Sequence, residues 1–314
     1  MTQIFIDHES AGYPTDYIVS RLKGRLNVLY GQYNKIARNP SAGPDYIRTS
    51  TIFKNINQLN LNNFRYFLNT ENRWVYLCMN KKLKEYFFPY YLFIEMGTIF
   101  DCLRLKLYPG NSNLLNERLE FSILSKNIKE YIKQEPSINT IIPLIEKSLT
   151  PVSKIFYGFK GTFKKNSLMV SESIIVNKFY DYVNCCVNEE PLVLFFSSLI
   201  DSYNITLLYK SIWWSEKELP HFLASKNIDT DTLKTLYKSN DAQKILHLIY
   251  SITKVELMGG TKHMDEITMI LNNHILNVIK KYRLESLSEG YILYYLWSLY
   301  VLTIKISVAI NKNM

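Results

Sequence analysis

The sequence predicts an all-α fold, and three observations carry that expectation. Apolar residues recur at spacings of three and four over long stretches, the period of a helix with one buried face. Glycine and proline together number only 21 in 314 residues and fall between those stretches, which fits helices with short connections better than strands and turns. Apolar residues make up 47% of the chain, enough to bury a substantial core and to argue against disorder.

The elements follow in order. Between Tyr17 and Ala37, Ile18, Leu22, Leu26, Leu29, Tyr33 and Ile36 share one face of an amphipathic helix. Asn39 to Pro44 (NPSAGP) reads as a loop, as does Gly158 to Gly161. From Ser171 to Cys186 the stripe is Ile174, Ile175, Phe179, Tyr182 and Val183; from Asp265 to Tyr282 it is Ile267, Ile270, Leu271, Ile275, Val278 and Ile279. Asp229, Thr230 and Asp231 offer N-cap residues before Leu233 and Leu236, and Ser286 to Glu289 precede the last apolar helix.

Three segments are denser in apolar residues than the rest: Pro89 to Leu107, Pro191 to Trp214 and Gly290 to Ile310. Superposed on their acids, the first two match without a gap, Glu95 with Asp201, Thr98 with Asn204, Ile99 with Ile205 and Arg104 with Lys210. The same ruler places Tyr300, Thr303 and Ile304 in the third. Ile99, Ile205 and Ile304 then recur at intervals of 106 and 99 residues, too long for a solenoid repeat. The expectation is three pseudo-repeated helical bundle domains, 1–112, 113–217 and 218–314, packed into a continuous funnel-like body.

Tyr291 to Ile310 holds twenty residues and one charge, Lys305, which meets the length of a membrane span. Its two counterparts, however, carry Glu95, Asp101 and Arg104, or Asp201 and Lys210, within the segment. A charge at the bilayer centre costs roughly 2.5–3.5 kcal/mol on insertion scales, so all three read as buried helices. A buried acid needs a partner. Arg104 and Lys210 lie nine residues beyond Glu95 and Asp201 and cannot pair with them inside one helix, so a neighbouring helix is expected to satisfy each carboxylate.

The chain carries 37 basic and 28 acidic side chains, a net +9 that favours an acidic partner but does not choose among nucleic acid, an anionic membrane surface and an acidic protein. Cys78, Cys102, Cys185 and Cys186 form no CxxC pair, which points to a reducing compartment, and the N-terminus has no secretory pattern, so a cytoplasmic location is expected. No phosphate loop, dinucleotide fingerprint, zinc-protease or nucleophile-elbow motif is found, and the five histidines (His8, His221, His247, His263, His274) are dispersed. His263 and Asp265, two apart, point to different helix faces. No catalytic, cofactor-binding or metal-ligating constellation and no small-molecule substrate are expected. Gly158-Phe159-Lys160-Gly161, followed by Lys164 and Lys165, mimics a nucleic-acid-clamping GxxG loop, but a helical pattern follows where that module needs strands. Lys160, Lys164 and Lys165 are read instead as a basic contact loop for an acidic protein.

Ile200-Asp201-Ser202-Tyr203-Asn204-Ile205 resembles the D-x-x-N-[LI] element of the C subunit of V/A-type ATPases, known as the d subunit in the eukaryotic vacuolar enzyme. Ile175 to Val183, Glu218 to Leu236 (with Asn227 where a glycine is usual) and the C-terminal GYILYYL resemble further stretches of that family, in the same order and with its threefold repeat. The likeness covers most of residues 12 to 314 and marks a divergent member: Thr98 stands for Asn in the first copy, and Ser298, Tyr300 and Lys305 stand where the third usually has acids and an arginine. The resemblance implies a non-catalytic, funnel-shaped socket that grips the central shaft formed by the D and F subunits. It would sit on the cytoplasmic face of the membrane rotor ring, built of c/K-type subunits, and pass torque between ring and shaft during ion transport. On this reading Glu95, Arg104, Asp201, Asn204 and Lys210 are structural polar positions and no nucleic-acid partner is expected. The other readings are a helical scaffold with a C-terminal membrane anchor and a basic nucleic-acid-binding helical protein.

Overall fold

The spacing of three and four between Ile18 and Ile36 is realised in helix α1 (Thr15–Arg38), where Ile18, Leu22, Leu26, Leu29 and Ile36 are buried and Tyr33 is half-buried. The computed structural model describes residues 4–6, 12–38, 61–107, 112–149, 154–214, 219–256, 264–285 and 288–311. The loop expected at Asn39 to Pro44 lies outside the described residues, as does His263. Among the described residues the protein is all-α: fourteen α-helices, two short 3-10 turns and two isolated β-bridges, with no strand.

The chain divides into two compact units, Met1–Tyr182 with Leu302–Met314, and Val183–Val301. In the first, α1 is followed by α2 (Leu61–Cys78), α3 (Lys81–Tyr86), α4 (Phe88–Leu107), α5 (Ser112–Glu120), α6 (Lys126–Gln134), α7 (Ile138–Leu149), α8 (Phe159–Lys165) and most of α9 (Leu168–Cys186). Helix α4 packs against α3, α5 and α7, and α7 also against α6 and α8. Asn80 starts α3 by accepting the amide of Leu83 at 2.9 Å, satisfying one of the donors a helix N-terminus leaves open. The aromatic rings of Tyr76, Phe87, Tyr90 and Tyr91 are buried and meet edge to face, an arrangement favoured by their quadrupoles.

The second unit is built on α10 (Glu190–Trp213), which packs against α11 (Thr230–Ser239), α12 (Ala242–Thr253) and α13 (Met264–Ile279). Pro191 opens α10 at a position where its missing N–H costs nothing. Phe195 to Ser202, eight consecutive residues, are all buried, so this stretch shows no face to water. Ile205, Leu208 and Tyr209 of α10 join Ile245, Ile249, Ile267 and Leu271 in one apolar core. Asp241 caps α12 by accepting from Gln243 and Lys244, and Asn240 and Lys254, both with positive φ, terminate α11 and α12.

The last helix, α14 (Glu289–Asn311), has its N-terminal part in the second unit, where Tyr291 to Leu299 are uniformly buried. Trp297 there donates its indole N–H to the carbonyl of Asn272 at 3.1 Å and meets Phe195 edge to face at 5.0 Å. Among the described residues, α10 is the helix long and apolar enough to cross a membrane by length and composition, and two thirds of that stretch is buried inside the protein.

The reading of Gly158 to Gly161 as a loop needs correction. Gly158 is the left-handed N-cap (φ 81°), and Phe159, Lys160 and Gly161 already belong to α8. Phe159 is buried against Phe100 and Phe156, and that burial together with a capping carboxylate from α7 winds the segment into a helix despite its two glycines.

Candidate functional site

Glu95 sits mid-way along α4, 4% exposed, a position that would be costly for an unpaired carboxylate. It is paired. The hydroxyl of Ser122 donates to one oxygen at 2.7 Å and the amide of Ile123 to the other at 2.7 Å. Ser122 in turn accepts the amide of Leu124 at 3.0 Å. These residues lie in the turn between α5 and α6, so a connecting turn, and not a neighbouring helix as the sequence suggested, satisfies the acid. The far side of the turn is held by the N-terminal segment: Ile6 donates to Ile123, Ser125 donates to Ile4, and Phe5 bridges Leu124.

Burial pushes the Glu95 carboxyl above the ordinary range, opposed by the bonds from Ser122, Ile123 and Thr98 and by the nearby Lys129 ammonium. Lys129 donates to the Ser122 carbonyl at 2.5 Å, and desolvation, with Arg73 nearby, lowers it to about 8.

Asp201 of α10 makes a corresponding arrangement inside the second unit. Ser225 donates its hydroxyl to one carboxylate oxygen and Asn227 its side-chain amide to the other at 2.6 Å. Ser225 accepts the amide of Asn227 at 3.1 Å, two residues on, as Ser122 accepts from Leu124. Asn204, one turn further along α10 and fully buried, both donates to the carbonyl and accepts from the amide of Leu223, each at 2.9 Å. Burial raises the Asp201 carboxyl against these bonds and the nearby His274, whose own value burial lowers.

Arg104 and Lys210 take other work. Arg104 is half-exposed, pairs with Asp101 at 3.1 Å and reaches the buried carboxylate of Glu172 on α9. Glu172 is raised by desolvation and held back by that guanidinium. The Lys210 ammonium lies 5.9 Å from the ring centroid of Trp214. The structure therefore brings Arg104 to Glu172 and Asn204 to the turn bound by Asp201, but it joins neither Arg104 to Glu95 nor Lys210 to Asp201.

Lys160, Lys164 and Lys165 are exposed, on a helix and not on the expected loop. Glu146 of α7 accepts the amides of Gly158 and Lys160, both at 2.8 Å, so two of the four backbone donors of the GxxG stretch are already used. Sequence reasoning missed Glu146, Glu172, Ser122 and Ser225, because none stands in a local pattern with its partner. The four cysteines are unpaired thiols, Cys78 and Cys102 buried and Cys185 and Cys186 exposed. Burial pushes Cys102 up to about 12. Among the described residues no cluster of three or more His, Cys, Asp or Glu is placed to hold a metal ion.

No protein-family model matches the chain, and a search of curated proteins finds no relative.

Proposed function

We propose that this chain is a non-catalytic central-stalk adaptor of a rotary V/A-type ATPase, a divergent counterpart of that family's C subunit, coupling the D/F shaft to the membrane rotor ring on the cytoplasmic face. The observation that carries the reading is the likeness between Glu95 and Asp201. These acids, matched in the sequence superposition, each sit in an apolar helix and each hold a serine-started turn, 27 and 24 positions downstream. Two anchors that share a serine hydroxyl on the carboxylate and an amide two residues on bonded to that serine favour copies of one ancestral unit, and a repeated helical unit is what the family resemblance implies. The third copy, centred on Ile304 in α14, belongs to the same proposal.

The role asks for stiffness. A torque-bearing socket must not yield between its ends, and close-packed aromatic and aliphatic interfaces have low compressibility. Buried carboxylates that pin connecting turns to central helices add directional constraints to that packing. The membrane-anchor alternative would have to withdraw Tyr291 to Leu299 from a buried setting, and the GxxG nucleic-acid reading would have to displace Glu146 from two amides.

The test is isolation of the tagged full chain from its native membranes in mild detergent. Rotor-ring subunits and the D and F shaft subunits should co-isolate in fixed proportion, and membranes lacking the chain should lose ATP-driven ion transport while the detached catalytic head still hydrolyses ATP. Isolation without shaft and ring subunits ends the proposal; retention in lipid after a carbonate wash favours the anchored scaffold.

A further inference from the structure

Between Glu146 and Glu172 the chain has five lysines and no acid. Lys147, Lys154, Lys160, Lys164 and Lys165 are all exposed, and among the described residues the last four make no ion pair. The same stretch exposes apolar side chains that the core does not use: Tyr157 at 68%, Met169 at 74% and Val170 at 42%. Met169 and Val170 stand in the first turn of α9, four and five residues after Lys165, while their neighbours Leu168 and Ser171 point inward and are buried. The turn is well fixed. Asn166 closes α8 with its amide and side chain on the carbonyl of Thr162, and Ser167 receives the amides of Val170 and Ser171 on its hydroxyl and carbonyl. A rigid connection thus presents two adjacent lysines beside two adjacent apolar side chains.

We propose that the α8–α9 connection is a docking element for an anionic lipid surface, with Lys160, Lys164 and Lys165 meeting lipid phosphates and carboxylates and Met169 and Val170 entering the acyl boundary. Lysines beside exposed apolar side chains are the composition of interfacial membrane binders, and Tyr157 is of the amphipathic aromatic type that settles at headgroup level. The chemistry favours lipid over nucleic acid on two counts. Glu146 occupies the amides of Gly158 and Lys160 that would hold a phosphodiester backbone. Phe156 and Phe159 are buried, which leaves Tyr157 rather than a row of rings to meet bases, whereas exposed Met and Val gain nothing from a polyanion in water. This inference does not rest on the rotary reading, because it concerns lipid alone and needs neither ring nor shaft.

Flotation of the purified full chain with vesicles tests it. Phosphatidylcholine vesicles with about one third phosphatidylserine should bind the chain, pure phosphatidylcholine should not, and binding should fall steeply as salt shortens the screening length from ~10 Å at 0.1 M to ~3 Å at 1 M. Each lysine near an anionic surface strengthens binding about fivefold, so K160Q/K164Q/K165Q should weaken it on the order of 100-fold. M169S/V170S should weaken it about tenfold through lost apolar burial. A control of equal charge, K81Q/K82Q/K226Q at exposed lysines outside this connection, should retain most binding. All substituted positions are exposed, and circular dichroism with a thermal melt checks that each variant folds. Indifference to phosphatidylserine, equal loss in the control, or unchanged vesicle binding by M169S/V170S alongside tight binding of duplex RNA would each overturn the proposal, the last in favour of a general polyanion surface. A chain that floats with lipid yet never co-isolates with rotor subunits would defeat only the stalk reading; the reverse would defeat only this one.

Discussion

The hydroxyl of Ser122 donates to the buried carboxylate of Glu95 at 2.7 Å across 27 positions of chain, and the next amide, Ile123, donates to the other oxygen of the same acid. One side chain thereby fixes the course of the α5–α6 connection, since a donor left in that apolar setting would have no water to turn to.

Glu95→Ala should therefore destabilise the protein by about 2–4 kcal/mol, because it strands buried donors, while Glu95→Gln, which keeps shape and one acceptor, should cost less. The pH dependence has a definite sign. Burial raises the native carboxyl above its ordinary 4.5, so the folded state holds this proton more tightly than the unfolded one. That contribution is present below the ordinary carboxylate range and is lost as pH rises through it to the folded value. Urea unfolding at several pH values should show the deficit of Glu95→Gln shrinking as pH rises; a constant deficit would mean the acid is not desolvated.

Asn204 satisfies both backbone groups of Leu223 with one amide. Asn204→Leu removes both bonds at a fully buried site and should cost about 2–5 kcal/mol. Asn204→Asp loses the donor but keeps an acceptor and adds a buried charge, so it should be tolerated better at acid pH than at neutral pH. Thermal melts at two pH values distinguish the variants, and equal behaviour would show that the amide pairing contributes little.

The helices were legible in the sequence where they are long and apolar. The segments begun by Pro89, Pro191 and Gly290 appear as α4, α10 and α14, because a run of that length can bury itself only as a helix packed on others. The acids within two of them were also legible as groups that need partners. Their partners were not, because Ser122, Ile123, Ser225 and Asn227 lie in connecting turns that carry no periodic signal and meet the acids only after folding. The GFKG segment misled for the same reason. Two glycines in four residues argue for a loop, and the acid that converts the segment into a helix start, Glu146, lies twelve positions upstream of Gly158.

Lys129 supplies a second pH signature. Its folded value is lowered to about 8 from 10.5, so between those values the unfolded chain binds a proton that the native state does not, and the contribution of this residue to stability rises with pH across that window. Lys129→Met should remove that rise and leave a flatter profile above pH 8. The Glu95 effect runs the opposite way at lower pH, so the two variants separate the contributions. A Lys129→Met profile that rises between pH 8 and 10 as much as the wild type does would contradict the assignment.

The thiols divide by exposure. In the native protein a thiol reagent should modify Cys185 and Cys186 quickly and leave Cys78 and Cys102 untouched, because burial both shields those sulfurs and suppresses their thiolates. Four groups should react in denaturant. Rapid native modification of Cys102 would show that α4 opens on the time scale of the labelling.

Glu172 and Arg104 form an asymmetric pair, the acid buried and the guanidinium half in solvent. Removing the arginine leaves a buried carboxylate whose second oxygen already has no hydrogen-bond partner, whereas removing the acid releases an arginine that water and Asp101 still satisfy. Arg104→Ala should thus be the costlier change, about 1–3 kcal/mol, and Glu172→Gln the milder one. Without the guanidinium, desolvation of Glu172 goes unopposed and its carboxyl rises further. The Arg104→Ala penalty should then grow as pH rises through the carboxylate range, and Glu172→Gln in the same background should abolish that growth. A double-mutant cycle at acid and neutral pH measures both effects; a coupling that ignores pH would show that the pair is held by packing and not by charge.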